Sequence, residues 1–357
     1  MISEKNFSKN QISSISSLLR RGKKKADPEL TEKVINVLYL VECIKKLDLK
    51  FIFKGGTALL LLLNKLHRFS IDIDIIIEKN IEYSLLKKIF STLVASNNIF
   101  YKFEEVKRID SKRIQKAHFK FYYKSALDDR SKYILLDIVF ESNPYMELIE
   151  RDITCDLILN EGKIIKVTMP SIDCMLGDKL TAFAPNTSGI PYGVNKELEI
   201  IKQLFDISIL FNEAKNLKVV KDTFVNISRN ELGYRGLPIT SAGEILDDIV
   251  GTSIIIAFRG GIKNDEFAKL LEGIKRIKSY IFSKNFILEE AVSSSSKAAY
   301  LAILLKNNIY NIEFFNDKKD VIGMDITDDR FKKSFKSIKK FSPEGYYYWY
   351  KFLELYN

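Results

Sequence analysis

Apolar positions recur with two different periods along this chain, and the change of period sketches its elements. Residues 1–28 read as a short helix followed by a basic turn. In "PELTEKVINVLYLVECIKKLDL", Val34, Val37, Leu38, Leu40 and Val41 fall at helical spacing, which predicts a helix near 29–47. Phe51–Phe53 leads into Gly55–Gly56, and the alanine and leucines of 58–66 predict a second helix. β-Branched residues then dominate "IDIDIII" at 71–77, which predicts a strand. A helix is expected near 82–94, and alternation in "HFKFYY" and "KYILLDIVF" predicts antiparallel strands between about 101 and 139. A short strand near 164–167 ends before a helix through "SIDCMLGDKLTAF", with Ser171 as its expected cap, and helical spacing resumes at 196–211. Beyond about 215 the apolar positions suit helices and no strand stands out. The fold class expected is α+β, with a mixed domain over 1–212 and a helical domain over 213–357.

Composition narrows the function classes more than it chooses among them. The chain has 357 residues, 46% of them hydrophobic and 29% charged, which is the make-up of a folded protein. Lysine and arginine exceed aspartate and glutamate by 56 to 46, giving a net charge of +10 that suits an anionic partner or a solvated basic surface. Cys43, Cys155 and Cys174 are too widely spaced for a disulfide framework or a zinc cluster, which points to a reducing cytoplasm. The N-terminus lacks the apolar core of a secretion signal, and no apolar run reaches a membrane span, so no membrane partner is expected. Two histidines, His67 and His118, are read as structural or surface residues, which argues against a histidine-led hydrolase.

The candidate chemistry lies in "FKGGTALLLLLNKLHRFSIDIDIII". Residues two apart on a strand share a face, so Asp72 and Asp74 project together while Ile71, Ile73 and Ile75 face a core. Paired carboxylates of this kind suit magnesium, which takes one or two protein carboxylates together with substrate phosphates. Two surface acids on a strand edge are the plainer alternative. Asp137, a lone acid inside the apolar strand "YILLDIVF", is the candidate third carboxylate, provided its strand lies beside 71–77. Gly55–Gly56 before a helix can bring backbone N–H groups close to phosphates, with Thr57 adding a hydroxyl; a simple turn is the alternative. The spacing is neither a P-loop nor a dinucleotide fingerprint. Lys107, Arg108, Lys112, Arg113 and Lys116 form a basic run suited to RNA phosphates, and the aromatic stretches "HFKFYYK" and "GYYYWYKF" suit either base stacking or core packing.

Gly-Gly-Thr-x-Leu followed by Arg-Phe-Ser-x-Asp-x-Asp resembles the opening motif of the AbiEii-type nucleotidyltransferases, toxins of type IV toxin–antitoxin and abortive-infection systems. The resemblance covers roughly residues 30–212 and implies a polymerase-beta-like nucleotidyltransferase core followed by a helical C-terminal lobe. By that resemblance Gly55, Gly56, Thr57, Arg68 and Ser70 hold the nucleotide, and Asp72 and Asp74 bind the metal. Lys179 in "MLGDKLTAF" matches a family lysine and would neutralise triphosphate charge; a solvent-facing lysine is the alternative. Lys202 and Asp206 of "KQLFDI" match a later family motif in which Gln203 replaces an expected aspartate. Asp206 is then a catalytic acid or the residue that orients Lys179. Asp137 rests on the strand argument more than on the motif.

The function implied is a magnesium- or manganese-dependent transfer of a nucleoside monophosphate from an NTP to an acceptor, with the 3′ end of tRNA foremost. Transfer to a small molecule or a protein hydroxyl, and a non-catalytic RNA-binding module on a transferase fold, are the alternatives. The resemblance further implies phage defence and an antitoxin of the winged-helix repressor type, encoded nearby and acting without a stable complex.

Overall fold

The computed structural model describes residues 1–21, 24–107, 114–238 and 241–356. By packing the chain forms two compact units, one of 1–143, 147–171 and 279–284, the other of 144–146, 172–278 and 285–357.

In the first unit, α1 (Lys9–Leu18) is capped by Ser8, and two-residue strands β1 (Arg20–Arg21) and β2 (Lys24–Lys25) pair antiparallel. Helix α2 (Pro28–Lys46) starts where the Asp27 carboxylate accepts from the Glu29 N–H at 2.8 Å, with Pro28 in its first turn. Its Val34, Ile35, Val37, Leu38, Leu40, Val41 and Ile44 are all fully buried, so it is a core helix wrapped on most sides. There follow β3 (Ile52–Lys54), α3 (Gly55–Leu62), β4 (Asp72–Ile77), α4 (Tyr83–Ala95), β5 (Phe100–Glu105), β6 (Lys116–Lys124) and β7 (Ser131–Phe140). Strands β8 (Leu148–Asp152) and β9 (Lys166–Pro170) make a separate antiparallel pair.

The main sheet runs β3-β4-β7-β6-β5. Every pairing in it is antiparallel except β4 with β7, which is parallel. Alternation gives the sheet two unlike faces. Ile73, Ile75, Phe119, Phe121, Ile134, Leu136 and Ile138 are buried on one of them, where Phe90 of α4 sets its ring 5.0 Å from Phe119 and 5.1 Å from Phe121. The opposite face carries the polar members of the same strands, the acids among them.

The second unit is built from α5 (Ile172–Ala182), α6 (Glu197–Glu213), α7 (Leu217–Arg235), α8 (Ala242–Phe258), α9 (Asn264–Arg276), α10 (Leu288–Lys306), α11 (Asp329–Phe335), α12 (Ile338–Phe341) and α13 (Pro343–Leu355). Among its described residues there is no strand. Packing divides the chain near 171, ahead of the boundary expected near 212, because α5 packs on α7, and α6 on α9 and α10. The serine run of α10 lies in the core. The Ser295 and Ser296 hydroxyls donate back to the carbonyls of Val292 at 2.9 Å and Ser293 at 2.7 Å, which satisfies them without water. In "GYYYWYKF", Tyr346, Tyr347, Tyr348, Trp349 and Phe352 are all buried, Tyr348 against Tyr300 and Phe211. Core packing, not base stacking, is what that segment does. Among the described residues no helix is long and apolar enough to cross a membrane.

Candidate active site

The site begins where β3 ends. Gly55 has φ +77°, a left-handed conformation that glycine adopts without penalty, and it turns the chain straight into α3. A Cβ at Gly55 would stand 2.2 Å from Oδ2 of Asp74, so the missing side chain is what lets that carboxylate reach the helix N-terminus. A Cβ at Gly56 would stand 2.7 Å from Nη2 of Arg68 and 2.7 Å from Oγ of Ser70. The two glycines thus gather Asp74, Arg68 and Ser70 around one bend. The helix starts at Gly55 itself, three residues ahead of the stretch expected from leucine content.

Thr57 is fully buried, and its hydroxyl donates to the carbonyl of Asp72 at 2.5 Å. It ties α3 to the start of β4, so the hydroxyl is engaged within the fold. Arg68 is buried, and its Nη1 donates to the carbonyl of Phe69 at 2.9 Å. The chain on either side of it is held by residues far along the sequence. The N–H of Phe69 donates to the carbonyl of Tyr280 at 2.8 Å, Arg68 bridges Ile281, and the Phe69 ring packs 4.9 Å from that of Phe282.

Strand register sets the acids side by side. Asp74 pairs with Lys54 on β3 and with Asp137 on β7, and Asp137 pairs in turn with His118 on β6. One row across four strands therefore reads Lys54, Asp74, Asp137, His118, with Asp72 one step along the same face. Asp72 is exposed, Asp74 is half-buried, and the Asp137 side chain is 25% exposed. Like charges on neighbouring strands repel, so this face favours a cation. Nδ1 of His118 lies 2.7 Å from Oδ1 of Asp137, in a side chain only 8% exposed. Sequence reading placed His118 on the surface and gave it no task; its position opposite Asp137 in an alternating strand was the available signal.

Among the described residues no three His, Cys, Asp or Glu side chains converge as a finished metal cage. Magnesium does not require one, because water and substrate phosphate complete its shell. The donor set fits on that basis: Asp72 and Asp74 share a face, and the glycine cradle leaves Asp74 room at the helix N-terminus. Asp137 is adjacent to them with one oxygen engaged by His118.

Lys179 on α5 and Asp206 on α6 belong to the second unit, where Nζ and Oδ2 lie 3.1 Å apart with side chains 7% and 2% exposed. The solvent-facing alternative for Lys179 is excluded, and Asp206 sits where it can orient the ammonium. Lys202 pairs with Glu199 at 2.9 Å. Of the basic run, Lys107 and Lys116 are exposed, while Arg108, Lys112 and Arg113 lie outside the described residues. A cavity of about 960 Å³ opens at the other end of β4, lined among others by Phe51, Ile52, Ile77, Leu85 and Glu141, and contains none of the candidate site residues.

Residues 39–280, about two thirds of the chain, match the sequence model of a family described as the nucleotidyl transferase AbiEii toxin of a type IV toxin–antitoxin system. The chain belongs to the AbiEii family. The match takes in the glycine bend, the three aspartates, Lys179 and Asp206. AbiEii membership makes the chain a nucleotidyltransferase of the toxin class, with an NTP as substrate and a cognate antitoxin as counterpart. No curated protein matches the chain. Among solved structures, JHP933 from Helicobacter pylori is 16% identical at a TM-score of 0.44, over 78% of this chain and 94% of that one. A second H. pylori structure, described as a candidate nucleotidyltransferase, is 18% identical at a TM-score of 0.42, over 78% of this chain and 96% of that one.

Proposed function

We propose that this AbiEii chain joins a nucleoside monophosphate from an NTP to the 3′ end of an RNA, tRNA foremost, and that growth stops because the extended RNA no longer serves translation. The observation that carries the reading is the shared face of Asp72, Asp74 and Asp137 beside the Gly55–Gly56 bend. In the step proposed, a ribose hydroxyl oxygen bonds to the α-phosphorus and gives up its proton to solvent, the α–β anhydride bond breaks, and pyrophosphate leaves with the electron pair. Asp72 and Asp74 would hold magnesium or manganese, which when bound supplies Lewis-acid charge to the phosphate oxygens. The backbone bend at Gly55–Gly56 bounds the phosphates, and Arg68 fixes the turn that leads into the acids. Lys179, oriented by Asp206, supplies positive charge for the leaving phosphates. The RNA acceptor is supported by the net charge of +10, which suits an anionic partner. Phage defence and an antitoxin of winged-helix repressor type, acting without a stable complex, are part of the same reading.

The test is to incubate the protein with each labelled NTP, magnesium and total cellular RNA. Label should enter RNA with the wild-type chain and fall at least a hundredfold with Asp72→Ala or with a chelator, about the loss expected when transition-state charge stabilisation is removed. Unchanged transfer by Asp72→Ala overturns the mechanism. Label appearing only in protein or in a small molecule overturns the RNA acceptor and leaves the transferase standing.

A further inference from the structure

The sheet face that carries the acids continues, along the same strands, into a patch of tyrosines and lysines. Residues 133, 135 and 137 of β7 share a face, so Tyr133 lies on the side of Asp137 and about 13 Å along the strand from it. Register then fills in the neighbours: Tyr122 pairs with Tyr133, Lys120 with Leu135, and Lys102 with Tyr122. A bulge in β5 between Phe100 and Lys102 throws Tyr101 outward beside them.

These aromatic rings are unlike the ones on the sheet's other face. Tyr133 is 42% exposed and Tyr101 is 53% exposed, whereas Phe119, Phe121 and Tyr123 of the neighbouring positions are buried. Cations sit over the rings. Nζ of Lys120 is 4.4 Å from the centre of Tyr133, Lys33 approaches the same ring at 5.9 Å, and Lys102 lies 5.3 Å from the centre of Tyr122. Hydroxyl contacts hold the rings in place: Tyr101 with Ser131 at 2.5 Å, and Tyr122 donating to Glu104 at 2.5 Å, which pushes the Tyr122 phenol up to about 12. Glu104 lies in the patch, and Lys102 pairs with it at 2.5 Å.

Exposed aromatics on a sheet, interleaved with lysines, make a stacking platform for unpaired bases with phosphate contacts between them. A duplex cannot use it, since its bases are already stacked. We propose that this face binds the single-stranded 3′ segment of the RNA acceptor, with a base on Tyr133, the backbone passing Lys120 and Lys33, and the terminal hydroxyl delivered toward Asp137. The assignment rests on the transferase reading above for what lies at the end of the track, but the surface is measured by binding alone. It also explains why Tyr101 of β5 and Tyr133 of β7 stand in water while Phe119, Phe121 and Tyr123 of β6 are in the core. Lys107 and Lys116, the described members of the basic run, are exposed at the opposite end of β5 and β6 from Tyr101 and Tyr122.

The experiment titrates the full-length chain into a fluorescent single-stranded RNA of about eight nucleotides and reads anisotropy, without NTP. Tyr133→Ala should weaken binding by about tenfold, and Tyr133→Phe should leave it nearly unchanged, because a ring suffices for stacking. Lys120→Glu should weaken it further and lower the salt dependence by about one ion. A duplex of the same sequence should bind less tightly than the single strand, and NTP binding should be the same in every variant. Equal affinity for the single strand across the wild type, Tyr133→Ala and Lys120→Glu overturns the proposal, and so does preference for the duplex. A surface that serves a protein partner gives that same equal affinity. Loss of RNA binding in the variants of a chain that transfers no nucleotide would leave the surface and discard the transferase; transfer with equal binding would do the reverse.

Discussion

At the scale of single residues, Gly55 joins the backbone to the chemistry. Its φ of +77° disfavours any side chain, and the space a Cβ would need is taken by the Asp74 carboxylate. Gly162 offers the control, with φ +65° and nothing within 4 Å of a Cβ built on it. Gly55→Ala and Gly162→Ala should each cost roughly 1–2 kcal/mol from the left-handed backbone. Only Gly55→Ala should also displace Asp74 and abolish nucleotide transfer. Thermal melts alongside labelled-NTP assays check this, and equal transfer by both variants would show that the bend does not position the acid. The glycine pair and the Asp-x-Asp alternation were legible in sequence because both are local: one states a backbone angle, the other a side-chain period. Thr57 and His118 were not, because the partner of a hydroxyl or an imidazole depends on which residue register brings opposite. The structure gives Thr57 a carbonyl on β4 and His118 a carboxylate on β7.

At the scale of elements, α5 and α6 are joined by a buried ion pair, Lys179 with Asp206. Removing one partner leaves an uncompensated charge in the interior and costs about 3–5 kcal/mol, whereas replacing both with apolar residues of similar volume is often neutral or stabilising. Lys179→Met and Asp206→Leu should therefore each lower the unfolding midpoint strongly, and the double variant should recover most of the loss. Transfer should not recover with it if Lys179 supplies charge to the phosphates, which urea melts and NTP assays on the three proteins would separate. A double variant that regains both stability and activity would make the pair purely structural. Element positions were largely readable from apolar period, as α2, β4, α4 and α6 illustrate. Strand β8 escaped because "LIERD" is almost wholly exposed and carries no alternation of burial. The parallel pairing of β4 with β7 escaped for another reason. The apolar period of α4, β5 and β6 says nothing about which strand edge the chain returns to, and that pairing alone puts Asp74 beside Asp137.

At the scale of the molecule, the chain leaves its first unit at 171 and comes back for six residues, 279–284. Those residues hold the turn before the acids: Tyr280 accepts from the Phe69 N–H, Phe282 and Ser283 donate to the His67 carbonyl at 3.3 Å, and the Phe282 ring covers Phe69. The site's backbone is thus completed by a segment more than two hundred positions away, a link no local pattern encodes. Phe282→Ala tests whether it matters to function. Loss of a buried phenylalanine ring costs about 3–5 kcal/mol when fully enclosed, and Phe282 at 9% exposure should lose near the lower figure. Phe352→Ala on α13 removes a fully buried ring from the second unit and should lose at least as much. The two variants should part in nucleotide binding under native conditions. Phe282→Ala frees Arg68 and Ser70 from the bend and should weaken labelled-NTP binding several-fold, while Phe352→Ala should bind as the wild type does. Equal affinity in both would mean that the turn keeps its shape without the returning segment, and that Arg68 and Ser70 are placed by the glycine bend alone.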